Sequence, residues 1–186
     1  MNHRRIGHPI TLVPTSRGRP LVCSRMTSVI IRDMTIDDLS IVHEINEENV
    51  PAVGQETFDD LRAIHDVCTM NIVAEVDGVV RGFCMVMPPG TTYDSPNYLF
   101  FCDRYDDFVY LDRVAITAAF QGRGIGAMLY REVERRATSE WFALEVNVKP
   151  PNEGSMRFHR REGFTEVEQQ ETRPGKIVSL MIKPLR

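Results

Sequence analysis

At 186 residues, with 42% hydrophobic and 26% charged positions, the chain suits one globular domain with a substantial core. No apolar run approaches the roughly 20 residues of a transmembrane helix, which speaks against a membrane protein. The net charge of −4 speaks against a nucleic-acid-binding domain, whose basic residues would cluster.

Residues 1–26 come first, with Arg4, Arg5, Arg17, Arg19 and Arg25 but no acidic residue, among Pro9, Pro14 and Pro20. Such a stretch suits a targeting or nucleic-acid-binding arm, or an upstream extension with Met26 as an alternative start. The extension is the preferred reading, and residues 27–186 are taken as a single domain. Val29-Ile-Ile-Arg32 predicts a short strand. Thr35-Ile-Asp-Asp38 has the form of a capping box, opening a helix with Leu39, Val42 and Ile45 at helical spacing. A polar connection broken by Pro51 and Gly54 leads to a short helix over 58–65. Residues 71–76 and 79–87 flank Asp77-Gly78, a strong hairpin signal, and Pro88-Pro-Gly90 stops the second strand. After an aromatic and acidic loop, residues 108–117 form a central strand. The next helix carries Ile125, Met128, Leu129, Val133 and Ala137 on one stripe. Strand 142–147 ends at Pro150 and Pro151, which lack the N–H that a ladder needs. Helix 154–162 follows, and strands 164–170 and 176–183 close the chain around Pro174-Gly175.

Cys23, Cys68, Cys84 and Cys102 show neither CxxC spacing nor the density of a disulfide framework, so reduced thiols and a cytoplasmic setting are expected. His3, His8, His43 and His65 lack ligand spacing, and no metal is expected.

The richest segment is Leu111-Asp-Arg-Val-Ala-Ile-Thr-Ala-Ala-Phe-Gln-Gly-Arg-Gly-Ile-Gly-Ala127, a strand, a glycine-rich turn and a helix start. Gly122, Gly124 and Gly126 let backbone N–H groups crowd around a ligand. The first N–H groups of the helix are unpaired and lie at its positive end, so the turn suits a phosphate or pyrophosphate. A P-loop would continue Gly-Lys-Ser/Thr, whereas Gly126 is followed by Ala127 and Met128. The dinucleotide fingerprint is formally matched by Gly122, Gly124 and Ala127, with Glu145 near the acidic position. Too little chain follows for the further βα units of such a fold, so this stays a distant alternative.

Gln121-Gly-Arg-Gly-Ile-Gly126 resembles the Gln/Arg-x-x-Gly-x-Gly/Ala signature of the GNAT superfamily of acetyl-CoA-dependent N-acetyltransferases. A second block agrees: Asn147-Val-Lys-Pro-Pro-Asn152, then Ser155-Met-Arg-Phe-His-Arg-Arg-Glu-Gly-Phe164. The resemblance extends over roughly residues 29–184. It implies an α+β fold with a mixed sheet of about seven strands and about four helices, in which strands 108–117 and 142–147 run parallel and splay apart. It further implies acetyl-CoA as co-substrate. Its pantetheine would lie along Val114, Ala115 and Ile116, and its pyrophosphate on the turn from Gln121 and Gly122 through Arg123, Gly124, Ile125, Gly126 and Ala127. Asn147, Asn152, Ser155 and Phe158 would complete the cofactor side. Arg123 is equally well read as a solvated surface residue.

The implied reaction is attack of an amine on a thioester, with the N–H near Val114 as oxyanion donor. Some family members carry a glutamate near the position of Tyr110. Here Asp112, two residues on, is the candidate base, either relaying a proton through water or serving as a structural partner for an arginine. Where family members place a tyrosine, this chain has His159, read as a proton donor or as a packing or phosphate-contacting residue. The acceptor is expected to be a small-molecule or peptide amine, and the aromatics and carboxylates between Tyr93 and Tyr110 suit a cationic one. Those aromatics are otherwise read as tucked onto the core. A non-catalytic acyl-CoA-binding or regulatory module is the alternative. No nucleic-acid or membrane partner is expected. A homodimer is compatible with the fold, though no surface stripe marks an interface.

Overall fold

Among the described residues there are seven strands: β1 Val29–Asp33, β2 Met70–Val76, β3 Val79–Met87, β4 Phe108–Ile116, β5 Trp141–Lys149, β6 Thr165–Arg173 and β7 Lys176–Pro184. Among the same residues five α-helices accompany them: α1 Leu39–Glu48, α2 Phe58–Val67, α3 Pro96–Cys102, α4 Ile125–Arg136 and α5 Glu153–Arg161. This computed structural model describes residues 28–186. The basic segment 1–26 and its alternative start lie outside the described residues, as does Cys23. Among the described residues, no helix is long and apolar enough to cross a membrane, and Cys68, Cys84 and Cys102 are free thiols.

The strands form one sheet in the order β1-β2-β3-β4-β5-β7-β6. Neighbours are antiparallel except β4 and β5, whose parallel pairing requires a crossover, supplied by α4. The hairpin signals act as expected. Asp77 (φ 50°) and Gly78 (φ 84°) turn β2 into β3, and Gly175 (φ 80°) turns β6 into β7. Asp38 accepts from the Thr35 N–H at 2.7 Å, as a capping box requires.

Helices α1, α2 and α3 cover one face, burying Leu39, Val42, Leu61, Tyr98 and Phe101 against Phe83, Phe108 and Tyr110. Helix α4 covers the other with Ile125, Leu129, Tyr130 and Val133 against Leu111, Phe142 and Leu144. The sequence predicts about four helices, and α3 is the addition. Ser95-Pro96 opens it, and Tyr98 and Phe101, one turn apart, are fully buried. Seven residues are too few for a periodic pattern to stand out.

The feature that positions the site is the parting of β4 from β5. They pair at Phe108↔Trp141, Val109↔Phe142 and Tyr110↔Ala143 only. Beyond this, β4 stays with β3 as far as Ile116, and β5 stays with β7 as far as Lys149. A bulge helps to bend β4 away. Met85 faces Arg113 and Val86 faces Leu111, so Asp112 is the extra residue. The Thr117 N–H donates to Arg81 O at 2.9 Å, which fixes the alternation that follows. Arg113 and Ala115 direct their polar backbone groups to β3, while Val114 and Ile116 direct theirs into the gap.

Candidate active site

One wall of the gap is main chain. Gly122 (φ 72°) and Gly124 (φ 82°) adopt a backbone disfavoured for residues with a Cβ, and no atom lies within 4 Å of where a Cβ would stand on either. Gly124 is the N-cap of α4 and no side chain caps the helix, so the N–H groups of its first turn remain available. Gly126 has a different task. A Cβ there would lie 3.2 Å from the Phe158 ring, so its absence lets α4 pack against α5. Gln121 turns inward, donating to Ile116 O (3.0 Å) and to Asn49 Oδ1 (3.1 Å). Arg123 lies over the Phe120 ring, as does Arg81.

A cleft of about 530 Å3 runs along this wall. Val114, Ala115, Ile116, Gln121, Gly122, Gly124, Ile125, Gly126 and Ala127 line one side, and Asn152, Ser155 and Phe158 the other. Of the predicted cofactor residues, Arg123 and Asn147 stand off the lining. The Asn147 side chain faces Pro51 O at 3.5 Å, and its backbone carbonyl accepts from Asn152 N at 3.1 Å. The Asn152 side chain caps α5, accepting from Ser155 N at 3.1 Å.

His159 also borders the cleft but is 4% exposed. Its Nδ1 lies 2.7 Å from Ser155 O, a carbonyl that can only accept, so Nδ1 carries the proton. Nε2 therefore accepts from the Tyr130 hydroxyl at 2.7 Å. Burial lowers the imidazole pKa to about 4, against a smaller opposing pull from the Ser155 carbonyl. Near neutral pH the ring is uncharged with both nitrogens engaged.

A second wall, on the face that α1 to α3 cover, is side chain. Asp112 accepts from the Tyr93 hydroxyl (2.5 Å) on one oxygen and from Arg113 Nε (2.6 Å) on the other. The Arg113 guanidinium reaches on to Asn46 Oδ1 and Glu56 Oε1, both at 3.2 Å. Of the two sequence readings of Asp112, the geometry favours the arginine partner. Tyr110 is fully buried and its hydroxyl donates to Glu145. Burial, then the nearby Glu145 charge, raises the phenol pKa well above its ordinary value, so Tyr110 remains a donor. Glu145 itself is pushed up to about 7, first by burial and then by the charge of Asp112. Hydrogen bonds from Tyr110 and Asn97, and the charge of Lys176, pull the other way.

Glu145 is the candidate residue that sequence reasoning passes over, since there it stands only as the acidic position of a dinucleotide fingerprint. Its signal is a lone carboxylate in the apolar run Phe142-Ala-Leu-Glu-Val146, two residues beyond the last β4–β5 pair. Beside this wall, Glu56, Asp60 and Asp94 with Tyr93 line a second cleft of about 390 Å3. The other aromatics of that stretch turn to the core. Tyr98, Phe101 and Phe108 are buried, and Arg104 stacks on Phe100 at 3.9 Å.

A family model described as the acetyltransferase (GNAT) family matches residues 39–164. No curated protein sequence matches the chain. Solved structures with a similar fold include Ard1 from Thermoplasma volcanium, at 18% identity and TM-score 0.67, covering 84% of this chain and 97% of that one. The ribosomal-protein-S18-alanine N-acetyltransferase from Escherichia coli is 16% identical, with TM-score 0.65 and coverage of 85% and 94%. The protein yncA from Salmonella typhimurium, whose structure includes its cofactor acetyl-CoA, is 20% identical, with TM-score 0.63 and coverage of 86% and 95%. At these identities the likeness speaks for the fold alone.

Proposed function

The chain belongs to the GNAT acetyltransferase family, and from that premise we propose that it transfers an acetyl group from acetyl-CoA to a primary amine, with Glu145 taking the amine proton. The carrying observation is that Glu145 stands where β4 and β5 part, with a pKa raised to about 7. A carboxyl so tuned can both accept a proton near neutrality and give it up again.

The residues present suit coenzyme A. Positive-φ glycines with open space above them and the uncapped first turn of α4 would receive the diphosphate. The outward backbone groups of Val114, with the N–H of Ile116, would pair with the amides of an extended arm, as a sheet edge pairs with a peptide. When bound, acetyl-CoA supplies an acetyl group activated as a thioester, so the acceptor forms a C–N bond as the C–S bond breaks and thiolate departs. Val114 directs its N–H into the gap, placed to donate to a carbonyl oxygen gaining negative charge. Tyr110 steadies Glu145 through its hydroxyl. His159, neutral and doubly engaged, serves packing, and a thiolate can leave without a side-chain acid. The acidic cleft beside Tyr93 suits an acceptor that arrives positively charged; such an ammonium gives one proton through Glu145 to solvent before it attacks, and its second proton goes to the departing thiolate as the amide forms.

Thiol release from acetyl-CoA across a panel of amines tests the reading. The wild type releases thiol only with an acceptor, and Glu145→Gln loses on the order of 100-fold in kcat with acetyl-CoA affinity retained. Binding without amine-dependent release from the wild type would make the protein an acyl-CoA-binding module instead.

A further inference from the structure

Two arginines share one aromatic ring beside the glycine turn. Phe120 ends the short 3-10 helix Ala118–Phe120, which carries β4 towards Gln121 and Gly122, and it packs against the core under α4. The Arg81 guanidinium lies 5.0 Å from the centroid of that ring, and the Arg123 guanidinium 4.9 Å. They arrive from separate places. Arg81 is the extra residue of β3 where Ala74 faces Gly82 and Glu75 faces Val80, and its carbonyl takes the Thr117 N–H. Arg123 stands between Gly122 and Gly124, which line the cleft, while its own side chain turns away to Phe120.

Two cations gathered on one ring repel each other, and an aromatic face offsets that only in part. Among the described residues neither guanidinium has a carboxylate within ion-pair distance. Arg81 Nε is buried and has no hydrogen-bond partner. A donor left in that state calls for an acceptor that the chain itself does not supply.

We infer that Arg81 and Arg123, set on Phe120, form a subsite for a phosphate monoester, and that it receives the 3′-phosphate on the ribose of coenzyme A. This rests on the reading of the glycine turn as the diphosphate site. In coenzyme A the 3′-phosphate is one ribose away from the diphosphate, so it belongs beside the turn and outside the β4–β5 gap. The Phe120 ring occupies such a place, next to Gln121 in the chain and off the lining of the cleft. A monoester dianion matches two guanidinium forks, which can each offer it paired N–H groups. The stack on Phe120 holds both side chains at the turn before the ligand arrives, so less freedom is lost on binding. The subsite makes the protein choose acetyl-CoA over its dephospho form, which has the same thioester, arm and diphosphate.

Calorimetric titration with acetyl-CoA and with acetyl-dephospho-CoA tests this on wild type, Arg81→Gln and Arg123→Gln. The wild type binds acetyl-CoA about 10-fold tighter or more. Arg81→Gln brings that preference below about 3-fold and leaves affinity for the dephospho form within about 2-fold of wild type. A wild type without preference overturns the inference, and so does an Arg81→Gln variant that weakens both ligands alike. Arg123 is exposed. Should Arg81→Gln fail to fold, Arg123→Gln therefore carries the test, and a preference unchanged in it overturns the inference. Wild type that binds neither thioester removes the coenzyme A reading itself, so the two failures are distinguishable.

Discussion

The two walls of the β4–β5 gap are built from different materials. The α4 wall is main chain: two positive-φ glycines, an uncapped helix end and the outward polar edge of Val114 and Ile116, all within residues 114–127. The wall on the α1–α3 face is side chain, and its members come from all over the sequence: Glu56, Tyr93, Asn97, Tyr110, Asp112 and Glu145. Backbone recognition depends on a turn that one contiguous stretch can encode. Proton chemistry depends on distances between groups that only the folded sheet brings together.

The contrast is sharpest at Gly124. Replacing it by Glu forces a Cβ into the left-handed region and puts a carboxylate where a diphosphate would sit. Acetyl-CoA affinity by calorimetry should fall by more than about 100-fold, from strain of roughly 1–2 kcal/mol plus charge repulsion. Retained affinity would mean that the glycine wall is not the cofactor wall.

The titratable groups on either side of the gap should pull stability in opposite directions with pH. The folded-state pKa of His159 is depressed, so the unfolded chain takes up a proton first as pH falls below about 6.5, and stability drops until about pH 4. At the acid end that contribution amounts to about 3 kcal/mol. His159→Phe should flatten this slope in denaturant titrations, at a loss of about 1–3 kcal/mol at neutral pH from the orphaned Tyr130 hydroxyl. Its turnover near neutrality should stay within a few-fold of wild type. A collapse of turnover in a folded variant would return the imidazole to the mechanism. Glu145 has the reverse sign. Its folded-state pKa is raised, so its contribution is present below the ordinary carboxylate range and is lost as pH rises through about 7. Glu145→Gln should therefore gain on wild type in stability as pH climbs from acid to neutral.

The smallest effect belongs to Gly126→Ala, which asks the Phe158 ring to give by a few tenths of an ångström. A loss of about 1 kcal/mol with acetyl-CoA affinity changed only a few-fold would separate this packing glycine from its neighbours. A large affinity loss would move Gly126 back among the ligand-binding groups.

Legibility in the sequence follows the same division. Strands β2 and β3 with their Asp77-Gly78 turn, the stripe of α4 and the glycine turn are all set by neighbours in the chain, and each could be read from period or turn chemistry. Helix α3 could not, because Tyr98 and Phe101 make a single i,i+3 pair and the aromatic, acidic surroundings suggest a loop. The parity of Asp112 was similarly hidden. In a regular strand it would simply repeat the direction of Tyr110, but the bulge opposite Met85 and Val86 makes it the extra residue beside Arg113. Glu145 needed the register of β4 on β5 before its isolation acquired a meaning. The contacts of Arg113 with Asn46 and Glu56 reach across 67 and 57 positions of sequence, and no local pattern announces them.

An unpaired strand edge is ordinarily a hazard, since it offers a template to any other chain in extended form. Here the outward edge at Val114, ending at an Ile116 carbonyl already taken by Gln121 and Asn49, is recessed between two strands and bordered by the beginnings of α4 and α5. A thin flexible molecule can slide along it, whereas the sheet of a neighbouring protein cannot approach edge-on. The molecule thus keeps an adhesive border available to a ligand while withholding it from aggregation.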